Sequence, residues 1–195
     1  MRSFLILHGW QGSGPDHWQT WLAQRLAAEG EDVRYPDLPE PHTPRAGAWG
    51  QALHSELEAM PGEKTVVCHS MACILWAHEA AEIARRHPVE RLLLVAPTCP
   101  RTPIPGSRDF YPAPLEPEAV AASAAHARVV WSDRDPYCPA GAERSFARPL
   151  GLEADFIPGA RHINPEAGFG PWPALEAWCR DGAPLVQGAK NGVET

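Results

Sequence analysis

Lys64-Thr65-Val66-Val67-Cys68-His69-Ser70-Met71-Ala72-Cys73-Ile74-Leu75-Trp76 sets a polar serine between a β-branched apolar run and a segment whose apolar residues recur at helical spacing. The stretch predicts strand, sharp turn, helix. At such a turn the serine Oγ is pushed clear of the backbone. The residues two positions either side must be small, because strand and helix nearly touch there. Ala72 meets that requirement and Cys68 meets it less well, so the pattern is G-x-S-x-G with Cys and Ala in place of the two glycines. A serine that merely caps the following helix fits the same residues. The rest of the chain has to separate the two readings.

On the amino-terminal side, Ser3 to Leu7 is a short apolar run without alternation, as expected for a strand buried on both faces. It ends in His8-Gly9-Trp10-Gln11-Gly12-Ser13-Gly14. These glycines follow neither G-x-G-x-x-G nor the P-loop spacing with lysine, so no nucleotide is expected, and the turn can instead present free backbone N–H groups. Pro15 and Asp16 mark a helix start, and Trp18, Trp21, Leu22 and Leu26 recur at near-helical spacing as core residues up to Gly30. A strand over Asp32 to Tyr35, a proline-broken loop over 36–41 and a helix over about Ala46 to Met60 complete this side.

On the carboxyl side, the elbow helix runs to about Arg86 and a strand covers Arg91 to Ala96. Residues 97–117 then carry seven prolines, with Phe110 and Tyr111 among them, which rules out a helix or an interior strand. The segment reads as a stiff surface connection or a short lid. A short helix at Glu118 to Ala125 and a strand at Ala127 to Trp131 follow. Then come a helix at about Ala140 to Leu150, a strand at Glu153 to Ile157 and a terminal helix near Trp172 to Arg180. Buried strands alternating with helices across short connections predict an α/β fold: a doubly wound, mostly parallel sheet with helices on both faces. A chain of 195 residues with 44% hydrophobic content suits one domain, expected over 1–182, with a polar tail over 183–195.

Composition narrows the function. A net charge of -7 argues against nucleic acid or an anionic membrane, which are bound by clustered Lys and Arg. The amino terminus is apolar too briefly for a signal peptide or a span. Cys68, Cys73, Cys99, Cys138 and Cys179 are odd in number and contain no C-x-x-C, as expected for reduced thiols. A cytoplasmic protein acting on a small molecule is the expectation. No metal is expected, because no His/Cys/Asp cluster has ligand spacing, and no cofactor is called for.

In a parallel α/β sheet the loops after the strands' carboxyl ends gather on one edge, where ligands bind. Ser70, then Asp133 or Asp135 in Ser132-Asp133-Arg134-Asp135-Pro136-Tyr137-Cys138-Pro139, then His162 in Pro158-Gly159-Ala160-Arg161-His162, all follow predicted strands. Serine, acid, histidine is the chain order of a hydrolase triad. A serine hydroxyl is a poor nucleophile until an imidazole takes its proton, and the imidazole needs a carboxylate to hold its tautomer. The backbone N–H groups of Trp10 and Met71 are the candidate donors to the oxyanion. His8 and His69 adjoin the key turns but are poorly placed to act as the base. Phe110, Tyr111, Phe169 and Trp172 are the candidate pocket residues.

With these residues in hand, the chain resembles the α/β-hydrolase superfamily, and within it the short, lidless serine hydrolases related to retinoblastoma-binding protein 9. The likeness runs from Phe4-Leu5-Ile6-Leu7-His8-Gly9-Trp10 to Gly159-Ala160-Arg161-His162, and is most specific at His69-Ser70-Met71-Ala72, at Ser132 to Pro139 and at Gly12-x-x-x-x-His17-Trp18. It implies that Ser70, Asp135 and His162 are catalytic. Pro136 favours Asp135 over Asp133 independently, since a following proline stiffens the acid's backbone. The chain has no Leu-x-Cys-x-Glu segment, so no retinoblastoma-type partner is implied. The expected function is hydrolysis of small carboxylic esters, or of thioesters or amides, through an acyl-enzyme. The alternative is a catalytically weak hydrolase-fold protein serving as a binding or interaction module.

Overall fold

Residues 1–185 are described by the computed structural model. Six strands form one all-parallel sheet: β1 (Arg2–Leu7), β2 (Asp32–Arg34), β3 (Glu63–His69), β4 (Val89–Val95), β5 (Ala124–Trp131) and β6 (Glu153–Phe156), in the spatial order β2-β1-β3-β4-β5-β6. Every strand expected from the sequence is present. The α-helices are α1 (Trp18–Ala28), α2 (Ala46–Ala59), α3 (Met71–Arg86), α4 (Pro117–Ser123) and α5 (Pro173–Asp181). None of the described helices is long and apolar enough to cross a membrane.

The unbroken apolar runs of β1, β3 and β4 follow from a sheet covered on both sides. Successive side chains of a strand point to opposite faces, and here both faces are core. Leu5, Leu7, Val66, Cys68, Leu92 and Leu94 pack with α2 and α3 residues such as Trp49, Leu53, Ile74 and Trp76. Phe4, Ile6, Val67, Leu93 and Val95 pack with Trp18, Leu22, Leu175 and Trp178 of α1 and α5. Each fully buried Leu, Val or Ile adds about 1.5–3 kcal/mol, so neither face could be stripped of its helices without exposing a core.

Three departures from the sequence reading have local causes. The helix expected over 140–150 is reduced to a π-helical turn at Glu143–Ala147, with Arg148 N–H donating to Glu143 O at 2.8 Å. It is bracketed by Gly141 at φ 82 and by Pro149, which has no N–H to extend it. β5 begins three residues before its expected start, at Ala124, because that residue already pairs with Val89 of β4. Leu185, placed in the expected tail, is buried against the α1/α5 core; the remainder of that tail, 186–195, lies outside the described residues.

The proline-rich segment is pinned at several points. Phe110 is fully buried, Asp109 Oδ2 caps α2 by accepting from Ala46 N–H at 2.8 Å, and His78 Nε2–H donates to Phe110 O at 2.7 Å. Its amide groups find partners without a sheet ladder, mostly in local backbone bonds such as Ser107 N–H to Ile104 O at 3.1 Å and Ala113 N–H to Pro100 O at 2.8 Å.

All strands run the same way, so their carboxyl ends share one edge. The chain order reverses between β1 and β3. That places the loop after β1 beside the turn after β3, at the crevice where α/β sheets bind ligands.

Candidate active site

Ser70 follows β3 immediately, at φ 59 and ψ -120, a region that a residue with a Cβ enters only under constraint. Its N–H donates to Val95 O at 2.9 Å, tying the turn to β4, while its own carbonyl accepts from Cys73 N–H at 3.1 Å and starts α3. Its side chain makes no capping bond to that helix. This removes the helix-capping reading of Ser70. Cys68 and Ala72, the substitutes for the two glycines, are both fully buried where strand meets helix.

Asp135 sits in the turn after β5. Its Oδ1 accepts from Tyr137 N–H at 2.9 Å and its carbonyl accepts from Cys138 N–H at 3.2 Å, a turn closed by the aspartate's own side chain. Arg134, at φ 57, redirects the chain so that Asp133 and Asp135 diverge. Asp133 Oδ1 accepts from Gly159 N–H, and this bond holds the Asp133 carboxyl below its usual range.

His162 comes after β6, between two left-handed residues, Arg161 (φ 50) and Ile163 (φ 49). Two buried rings hold its backbone. His69 Nε2–H donates to His162 O at 3.0 Å, and Trp18 Nε1–H donates to Ile163 O at 2.8 Å. Tyr137 lies against the imidazole, with ring centroids 4.5 Å apart.

These three loops bring Ser70, His162 and Asp135 into one line. His162 Nδ1 stands 2.8 Å from Asp135 Oδ2 and 3.0 Å from Oδ1, and His162 Nε2 stands 2.9 Å from Ser70 Oγ. All three residues are buried, at 4%, 6% and 4% exposure for Ser70, His162 and Asp135. A carboxylate beside Nδ1 keeps the proton on that nitrogen, which leaves Nε2 as an acceptor for the serine O–H. Among the described residues, no hydrogen bond or ion pair joins Asp133 to the imidazole.

The loop after β1 supplies the facing wall. His8 organises it: Nδ1–H donates to Gly9 O at 2.8 Å, and Nε2 accepts from Leu38 N–H at 2.9 Å, linking the turn to the proline-broken loop after β2. Gln19 Nε2–H donates to Leu7 O, and Ser13 Oγ–H donates to Gln19 Oε1. Among the described residues, the backbone N–H groups of Trp10 and Met71 donate to no protein acceptor. Both belong to turns that border Ser70.

A cavity of about 310 Å³ opens over Ser70 and His162. Trp10, His17, Ile104 and Tyr137 are among its lining, together with Gln11, Ser13, Asn164 and Glu166. The expected pocket residues lie elsewhere. Phe110 packs edge-on against Trp49, Tyr111 bonds Thr98 through its hydroxyl, and Phe169 packs on Trp172, which in turn packs on Trp18. Large aromatics carry much apolar area into a core, and these four pack in or against the two cores that flank the sheet.

Sequence reasoning also missed the parts played by His17 and His69. His17 caps α1, its Nδ1 accepting from Gln19 N–H at 3.2 Å, and burial, followed by the nearby His162 and His8, pushes its pKa down to about 4. The His69 ring lies 5.0 Å from that of His162, and burial holds it neutral, with its pKa well below the usual value. The bond from His69 to His162 O joins residues remote in the chain, so local pattern could not show it.

Comparison with known proteins gives the family. Residues 4–180 match the family model described as Serine hydrolase. YdeN, a Bacillus subtilis (strain 168) protein named as a hydrolase, is 24% identical over 165 residues, covering 84% of this chain and 87% of that protein. The structure of the B. subtilis ydeN gene product superposes with a TM-score of 0.78 at 21% identity, over 91% of this chain and 96% of that one. A YdeN-like protein from Pectobacterium atrosepticum superposes at 0.70 and 20% identity, over 96% and 94% of the two chains. Est1E of Butyrivibrio proteoclasticus, with ferulic acid bound, superposes at 0.62 and 14% identity, over 84% and 82%. These superpositions establish a shared fold. With the family model matched over residues 4–180, the chain belongs to the serine hydrolase family of enzymes.

Proposed function

We propose that this enzyme hydrolyses small carboxylic esters, and by the same chemistry thioesters or amides, through an acyl-enzyme on Ser70. The observation that carries the reading is the unbroken line from Ser70 Oγ to His162 Nε2 at 2.9 Å and from His162 Nδ1 to Asp135 Oδ2 at 2.8 Å. In this mechanism Ser70 Oγ attacks the substrate carbonyl as its proton passes to His162 Nε2. Asp135 holds the ring's tautomer and stabilises the imidazolium that forms. The Trp10 and Met71 N–H groups stabilise the oxyanion, a contribution that reaches about 10²–10³-fold per donor in enzymes of this type. His162 then gives its proton to the leaving alcohol. A water activated by the same imidazole releases the acid.

The size of the cavity supports a small substrate, since about 310 Å³ is at the low end for small-molecule sites. Its lining of Gln11, Ser13 and Asn164 suits a substrate with polar atoms near the scissile bond. A binding module would have no need of a buried serine–histidine–carboxylate line, whose desolvation costs stability.

Labelling with a fluorophosphonate probe tests the reading without knowledge of the substrate. The expected result is one covalent adduct on Ser70, absent from Ser70→Ala. A p-nitrophenyl ester series should show kcat/KM falling as the acyl chain lengthens. A folded protein that neither labels nor turns over any member of the series would refute the proposal.

A further inference from the structure

The Sγ atoms of Cys99 and Cys138 lie 3.1 Å apart, closer than two unbonded sulfurs normally rest, and both cysteines are thiols. The backbone is already joined beside them, as Cys99 N–H donates to Tyr137 O at 2.9 Å. A disulfide needs its two sulfurs about 2.05 Å apart on backbones held near one another. This pair meets the second condition and is about 1 Å short of the first. The other three cysteines, Cys68, Cys73 and Cys179, are fully buried, and no sulfur–sulfur contact joins them among the described residues.

We propose that Cys99 and Cys138 form a reversible intrachain disulfide on reaction with a low-molecular-weight disulfide. Cys99 is half-buried and borders a separate cavity of about 440 Å³, lined also by Pro100, Thr102, Leu115 and Pro149, through which such an oxidant reaches it. The Cys99 thiolate attacks one sulfur of the oxidant, breaking its S–S bond and expelling a thiolate. Cys138 then gives up its proton and attacks the Cys99 sulfur, forming the intrachain bond and expelling the second thiolate. The two protein thiols lose two protons and two electrons in all, and the oxidant leaves as two reduced thiols. Burial raises the Cys138 thiol to about 12, so the second step is the slow one.

The bond would tie together two walls of the cavity over Ser70. Cys99 opens the proline-rich segment that carries Ile104, and Cys138 closes the turn that carries Asp135 and Tyr137. It is a modification site outside the serine chemistry, and it does not depend on the role proposed for Ser70.

The test exposes the folded protein to oxidised glutathione at mildly alkaline pH, traps free thiols by alkylation and maps the peptides. The expected result is a chain two hydrogens lighter, with a Cys99–Cys138 linked peptide, three alkylated cysteines, and full reversal by dithiothreitol. Cys99→Ser and Cys138→Ser should each abolish the link, with Cys138→Ser stopping at a glutathione adduct on Cys99; the paired variants Cys99→Ala and Cys138→Ala guard against misfolding of either. Five alkylatable thiols after treatment, a stable glutathione adduct on wild-type Cys99, or a link to any other cysteine overturns the proposal.

Discussion

Gly9 stands against Ser70 with no room for a side chain: a Cβ built on it would lie 2.6 Å from Ser70 Cβ, 3.0 Å from Oγ and 3.1 Å from the carbonyl oxygen of His69. The loop after β1 can approach the serine only because this residue is glycine. Gly9→Ala must displace the loop, the serine or both, since one of the atoms it meets is backbone. Overpacking of this kind costs about 1–3 kcal/mol, and a displacement near 1 Å at a reacting atom costs about 10²-fold in rate. The expected outcome is a lowered Tm together with a kcat on activated esters reduced by about that factor. A Gly9→Ala enzyme with native kcat would show that the loop plays no part in catalysis.

Ser70→Ala removes the hydroxyl that His162 Nε2 faces and leaves the turn's packing unchanged. The loss in kcat should be on the order of 10⁴-fold or more, with Tm near the native value. His162→Ala should be nearly as damaging, and the double variant little worse than either, because groups acting as one unit are not additive. Single-turnover kinetics on purified variants measures all three. Additive losses would mean that the two residues work independently.

Asp133 and Asp135 are separated by a single residue and face different partners. Asp135 meets the imidazole, whereas Asp133 accepts from the Gly159 N–H. Asp135→Asn should lower kcat by about 10⁴-fold, since an amide in that place favours the wrong histidine tautomer. Asp133→Asn should leave kcat near native and change mainly Tm, through the bond that joins the turn after β5 to the turn before His162. Measuring kcat/KM and Tm for both variants separates the roles.

Acid sensitivity should come from the buried histidines. In the folded state His17 titrates at about 4, against an ordinary 6.5, and burial is the main cause. Between those two values the unfolded chain binds a proton that the folded chain refuses, so stability is complete above about pH 6.5 and declines as pH falls towards 4. For His17 the difference amounts to about 3 kcal/mol. His8 and His69 are also lowered by burial and add in the same direction. His17→Asn keeps a side chain able to cap α1. It should reduce by about one the protons taken up on unfolding across this window, as read from the pH dependence of denaturant unfolding. An unchanged proton uptake would mean that His17 is not buried in its neutral form.

The six strands, the sharp turn at Ser70 and the sheet's parallel winding could be read from the chain alone, because each rests on local pattern: β-branched apolar runs, small residues around a serine, prolines and glycines at the breaks. The serine–acid–histidine set was legible for the same reason, since each member lies in the loop after a strand and a parallel sheet sends every strand end to one edge. Pro136 even separated Asp135 from Asp133, as it acts on the residue just before it.

What lines the cavity was decided only by the tertiary structure. Phe110, Tyr111, Phe169 and Trp172 had the right chemistry for a pocket and sit in the helical layers instead, while Ile104, Tyr137 and His17 border the cavity. The bonds from His69 and Trp18 that hold the chain at His162, and the approach of Cys99 to Cys138, likewise join residues far apart in sequence. Local pattern determines which backbone conformations are cheap, one short stretch at a time. Which side chains meet across the sheet edge depends on how the loops pack against one another, and that free energy belongs to pairs of segments that no single stretch contains.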